Sequence, residues 1–222
     1  MIVGEQKPFE EIWQMIRHYR KVLVFGCNTC VAVCHAGGNK EAEILGSLLR
    51  MQAKQEGVDM EIRDSGIERQ CEHEFFESKM EILEWPDLVL CLGCGVGVQF
   101  MAEKFQGKLI FPGINTTFMG AVERAGVFTE KCQGCGRCML AETGGICPVS
   151  RCAKRIMNGP CGGSSKGKCE ISKETDCAWQ LIVDRMKSLG TIDLYEEIIP
   201  IKDWSNERSG GPRKVIREDL AI

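Results

Sequence analysis

Cysteine clustering constrains this chain more than any other feature: of fourteen cysteines, eight fall between Cys132 and Cys177, and the other six gather at three earlier places. Thiols in such numbers serve as disulfides, metal ligands, redox groups or small buried hydrophobes. The start, MIVGEQKPFEEIW, lacks the basic segment and apolar stretch of a secretory signal. No apolar run reaches the roughly 18 residues that span a bilayer. The expectation is therefore a cytoplasmic protein with no membrane span, in a compartment that keeps thiols reduced. A chain of 222 residues can bury a core without disulfide staples. Metal ligation is the reading that clustering favours.

The most specific run is Cys132-x2-Cys135-x2-Cys138, followed by Cys147-Pro148. Three thiolates on one tight loop can reach three irons of a cubane, with a more distant cysteine taking the fourth, as in bacterial ferredoxin patterns. Tetrahedral zinc more often takes its ligands as two C-x2-C-type pairs. The spacing to Cys-Pro is longer here than in ferredoxins, so Cys147 either closes the first centre or ligates a second. Cys152, Cys161, Cys169 and Cys177 follow at irregular intervals. With the first four they supply ligands for two four-cysteine centres, and zinc is the alternative for one of them. Gly159, Gly162, Gly163 and Gly167 would let backbone N–H groups approach sulfur.

The first 130 residues alternate between strand and helix patterns. Phe9, Ile12, Trp13, Ile16 and Tyr19 recur at helical spacing, and KVLVF (21–25) reads as a buried strand. A helix follows Asn39 and stops at Gly57, a favoured C-terminal residue. Strands are expected at 58–62, 87–92 and 108–112, with helices at about 72–84 and 97–105. This is α/β: a small parallel, Rossmann-like sheet flanked by helices. In such a sheet the strands' C-terminal ends share one edge, where ligands bind. Cys27, Cys30, Cys34, Cys71, Cys91 and Cys94 all follow or end strands. Cys27, Cys30, Cys71 and Cys94 are the preferred four ligands of a further centre. Cys91 reads as a core thiol and Cys34 as facing a helix interior.

Three domains are expected: 1–130, the α/β domain; 131–190, an irregular cysteine-rich iron–sulfur domain closed by a helix at 174–189; and 191–222, a C-terminal arm. Gly93, Gly95 and Gly97 lack the full dinucleotide-loop spacing and read as making room for metal. His35 and His73 read as surface or supporting residues. No Ser/His/Asp set, paired carboxylates or P-loop supplies a complete active site. A net charge of −3 with scattered basic residues gives no reason to expect a nucleic-acid partner. From the residues alone, the reading is an iron–sulfur protein that exchanges electrons with a partner enzyme. A zinc-braced structural subunit is the alternative.

The blocks GCNTCVAVCHAGGNKEAEILG, LCLGCGVGVQ, EKCQGCGRCMLAETGGICPVSRCAK, NGPCGGSSKGKCE and DCAWQLIVDRMKSLG resemble the methylenetetrahydrofolate reductase C-terminal family. The resemblance is to its free-standing small subunits of the acetogen type, over about residues 10–200. It implies a non-catalytic iron–sulfur (zinc-finger-like) subunit of an oxidoreductase complex in the Wood–Ljungdahl pathway of one-carbon metabolism and acetogenesis. It also implies a flavin-containing TIM-barrel catalytic partner that reduces methylenetetrahydrofolate. Folate and flavin would then sit on that partner, and two or more [4Fe–4S] clusters on this chain. A further electron-donor complex would complete the relay.

Overall fold

The computed structural model describes residues 1–219. It divides into two compact units, Met1–Thr129 and a second from Glu130 onward.

In the first unit, β1 (Ile2–Gln6) and α1 (Phe9–Ile16) precede β2 (Lys21–Cys27), α2 (Cys30–Val33) and the long α3 (Asn39–Glu56). β3 (Glu61–Ile67) leads through a 3-10 turn to α4 (Met80–Glu84), β4 (Leu88–Cys91), α5 (Gly95–Lys104) and β5 (Leu109–Pro112). Parallel strands form one sheet in the order β3-β2-β4-β5. The two central strands are covered on both faces, which is why they read as unbroken apolar runs. Val22, Val24, Leu88 and Leu90 pack with Ile12, Trp13, Ile16, Leu45 and Leu49 of α1 and α3. The alternate residues Leu23, Phe25, Val89 and Cys91 pack with Phe76, Leu83 and Met101 on the other face. Gly57 ends α3 in the left-handed conformation, φ 68°.

Two features depart from expectation. β3 lies several residues later than the 58–62 run, because it is the sheet's edge strand and carries exposed or half-buried charges such as Glu61, Arg63 and Asp64. Val58 and Met60 pack on the core from the preceding connection instead. A second, antiparallel sheet joins β1 to β6 (Ile114–Arg124) and β7 (Val127–Cys132), in the order β1-β6-β7. Its middle strand exposes Asn115, Thr116 and Thr117, so it lacks the apolar signature that reveals a buried strand.

Among its described residues the second unit holds two α-helices, α6 (Pro148–Arg151) and α7 (Ala178–Leu189). Its buried cluster is Cys177, Trp179, Ile182 and Met186, with Ile146, Cys152, Ile156, Ile192 and Tyr195 packed around it. Trp179 donates from its indole to the Ile156 carbonyl at 2.8 Å. Gly159 lies so close that a Cβ would sit 2.4 Å from the Trp179 ring. Beyond α7 the described residues form only short 3-10 turns; the last three residues of the expected arm, 220–222, lie outside the described residues. No helix among those described is long and apolar enough to cross a membrane.

Candidate metal centres

The strand order places a switch between β2 and β4, the crevice where open α/β sheets bind ligands. Cys27 ends β2, and Cys30 opens α2 just beyond it. Cys91 ends β4, and Cys94 caps α5. Cys71 arrives from the loop after β3, directly behind Gln70. Burial raises the Cys71 thiol pKa above its ordinary value, and the neighbouring Cys27 and Cys94 raise it further. Cys27 and Cys94 act in the same direction on Cys91. Four of the six thiols therefore feel one another at this edge. Cys34 turns away: its thiol donates to the Val31 and Gly4 carbonyls, and the Gly4 N–H contacts its sulfur at 3.5 Å.

Gln70 organises the crevice and has no sequence signature. It is fully buried. Its amide donates to the Phe25 and Gly26 carbonyls at 2.8 and 3.1 Å, and its oxygen accepts from the Cys91 thiol. The loop carrying Cys71 is thereby pinned to the ends of β2 and β4. Two of the three glycines of CLGCGVG serve this residue: a Cβ on Gly93 would lie 2.0 Å from Gln70 Oε1, and one on Gly97 would lie 3.0 Å from its Cβ. The room made by Gly93 and Gly97 is filled by a glutamine side chain, which corrects for those two the expectation that it holds metal.

Cys91 is completely buried, and burial pushes its thiol up to about 12. Thiolate is the reactive form. In the folded protein Cys91 is expected to resist iodoacetamide at about pH 8, and to react only after denaturation. Peptide mass spectrometry checks this; labelling of Cys91 as fast in the folded as in the denatured protein would contradict it.

In the second unit, Cys132 and Cys138 are exposed, and Cys135 and Cys147 are half-buried. Gly134 and Gly136 adopt left-handed conformations, φ 63° and 91°, which bend the loop between the three closely spaced thiols. The Gly134 N–H points at Cys132 Sγ, 3.3 Å away. The C-terminal arm fastens this loop. Lys202 donates to the Cys135 and Arg137 carbonyls, and Arg213 to those of Gly134 and Asn206.

Cys152, Cys161, Cys169 and Cys177 line one small cavity of about 20 Å³. Cys169 and Cys177 ride on paired segments joined by a turn at 170–174, next to a tighter turn between Ser165 and Lys168 in which Lys166 and Gly167 have φ of 51° and 78°. Cross-hairpin bonds run from Cys169 N–H to the Thr175 carbonyl and from Cys177 N–H to the Gly167 carbonyl. Burial acts to raise the Cys177 thiol, but the Ser164 hydroxyl and the Gln180 and Trp179 N–H groups at the start of α7 bring it below the ordinary value. The thiolate form is the one a metal takes.

Among the described residues, no group of three or more His, Cys, Asp and Glu side chains has the arrangement to hold a metal ion. Tetrahedral zinc at about 2.3 Å from each sulfur needs the sulfurs about 3.8 Å apart. The donor chemistry of each group, thiols alone with backbone N–H groups turned toward sulfur, suits a soft metal or an iron–sulfur centre. His35 is exposed and faces Glu41 at 3.8 Å, and His73 meets Phe100 edge to face; both serve the surface and the packing.

No curated protein and no solved structure matches this chain. One protein-family model does: residues 111–205, which contain all eight cysteines of the second group, match the family described as Methylene-tetrahydrofolate reductase C terminal.

Proposed function

We propose that this chain is an iron–sulfur electron-transfer subunit serving a methylenetetrahydrofolate reductase, passing electrons between a low-potential donor and the flavin of a catalytic partner. The observation that carries the reading is the loop from Cys132 to Cys138. It presents three thiols on a glycine-bent turn, with an N–H aimed at sulfur and two basic side chains fastening its carbonyls. Its position inside the segment that matches the reductase C-terminal family adds support. Cys132, Cys135, Cys138 and Cys147 would hold one centre. Cys27, Cys71 and Cys94, with Cys30 nearby in sequence, would hold another at the sheet edge. A bound [4Fe–4S] centre supplies one-electron transfer, which complements a flavin that takes two.

The chain's own residues would tune such a centre. The Gly134 N–H aimed at the Cys132 sulfur would hydrogen-bond a cluster ligand, and the lysine and arginine of the arm add positive charge beside the loop, which raises a cluster's potential. The 20 Å³ cavity among Cys152, Cys161, Cys169 and Cys177 favours a second reading for that group alone. A space of that size admits about one water-sized particle, so a single ion such as structural zinc suits it better than a cubane.

The test is anaerobic reduction of the full chain by dithionite, followed by EPR and by mixing with the flavin-containing partner. A reduced-cluster signal that disappears as the partner's flavin is reduced is the expected result. A chain that takes up no electrons would overturn the relay and leave a structural subunit.

A further inference from the structure

The long helix α3 carries a second apolar stripe on the side opposite its core face. Ala42, Leu45, Leu49 and Ala53 are buried, whereas Ile44, Leu48 and Met51 stand in solvent at 51%, 46% and 68% exposure. Their i, i+4, i+7 spacing lines them along one face. Single exposed apolar residues are ordinary, but a continuous row rimmed by polar residues is the form a docking surface takes. By contrast α1, which shares the same core cluster, exposes only Glu10, Glu11 and Gln14. The charges of α3 are ordered as well. Glu41, Arg50 and Glu56 lie against His35, Asp64 and Arg17. Glu43 and Lys54 are exposed, with no ion-pair partner among the described residues. They are eleven residues apart, about three turns, so they share one flank of the stripe.

We propose that α3 pairs antiparallel with α3 of a second copy of this chain, across a two-fold axis beside Leu48. That axis sets Leu48 against Leu48 of the second copy, Ile44 against Met51, and Glu43 along the same side as Lys54. Each contact then occurs twice, as in any isologous interface. The charge order selects this occupant, because the stripe complements itself. An antiparallel mate brings acid to base on the flank and opposes the two helix dipoles; a parallel mate would set Glu43 beside Glu43 and Lys54 beside Lys54. Three apolar side chains per copy bury less than the roughly 1,200–2,000 Å² of a lasting interface, so the pair is reversible. It uses the first unit alone and needs no metal, which makes it independent of the electron-transfer reading.

Sedimentation velocity of the full-length, anaerobically purified protein tests the pairing. Between about 2 and about 300 μM, monomer is expected to give way to dimer with Kd of about 10–100 μM. Leu48→Glu brings two carboxylates together at the axis and weakens the dimer about tenfold or more. Leu48 is exposed, so that variant keeps the parent's thermal stability. Glu43→Lys and Lys54→Glu each weaken the dimer about threefold, and combining them restores the parent Kd. That rescue is specific to the antiparallel setting, since a parallel pair would repel equally in either case. A chain that stays monomeric at the highest concentration overturns the proposal. So does a dimer that Leu48→Glu leaves intact, or one in which the two charge reversals do not compensate each other.

Discussion

Trp179→Ala is expected to unfold the second unit while leaving the first folded. The second unit's apolar cluster has four buried residues, Trp179 among them, whereas the first has two separate clusters of its own on the faces of its parallel sheet. Truncating a buried tryptophan costs about 3–5 kcal/mol. A domain's whole stability is about 5–15 kcal/mol, and a unit with so little apolar core belongs near the bottom of that range. The change also removes the indole donor to the Ile156 carbonyl and the ring against which Gly159 packs. Hydrogen exchange read by mass spectrometry checks it: peptides from 146–189 should lose protection while those from 21–27 and 88–104 keep theirs. Uniform loss along the chain, or no loss, would contradict the division.

Gln70→Leu should destabilise the first unit by about 2–4 kcal/mol, a large effect for one polar side chain. Leucine nearly conserves volume but strips the Gly26 carbonyl of its side-chain donor and the Cys91 thiol of its acceptor. Phe25's carbonyl keeps the Leu92 N–H at 2.8 Å, which limits the loss there. The loop behind Gln70 carries Cys71, so the same substitution should scatter the thiols at the sheet edge and lower whatever metal they hold. Urea denaturation gives the first number and metal analysis the second. A variant as stable as the parent, with full metal content, would show that the glutamine is packing filler.

The parts of the fold legible in the sequence are those where one physical signal dominates. β2 and β4 are covered on both faces, so their apolar runs are continuous; α3 ends where Gly57 adopts its left-handed conformation. β6 and β1 were not legible because their sheet is solvated and their side chains are mixed. β3 was misplaced because an edge strand tolerates charge, while the more apolar Val58 and Met60 lie in a connection.

The cysteine runs announce themselves by spacing. What they do not announce is what stands between them. Gln70 is an ordinary loop glutamine until the fold buries it against two strand ends. The glycines of CLGCGVG carry the same composition whether they accommodate a metal or a side chain.

The electron-transfer account rests on the identity of what the thiols bind. Iron, zinc and acid-labile sulfide are to be measured on anaerobically purified full-length protein, beside a Cys135→Ser variant. About eight irons per chain with matching sulfide, falling by about four in the variant, is the predicted result. Zinc alone, with no acid-labile sulfide in either protein, would contradict it, because zinc carries no electrons.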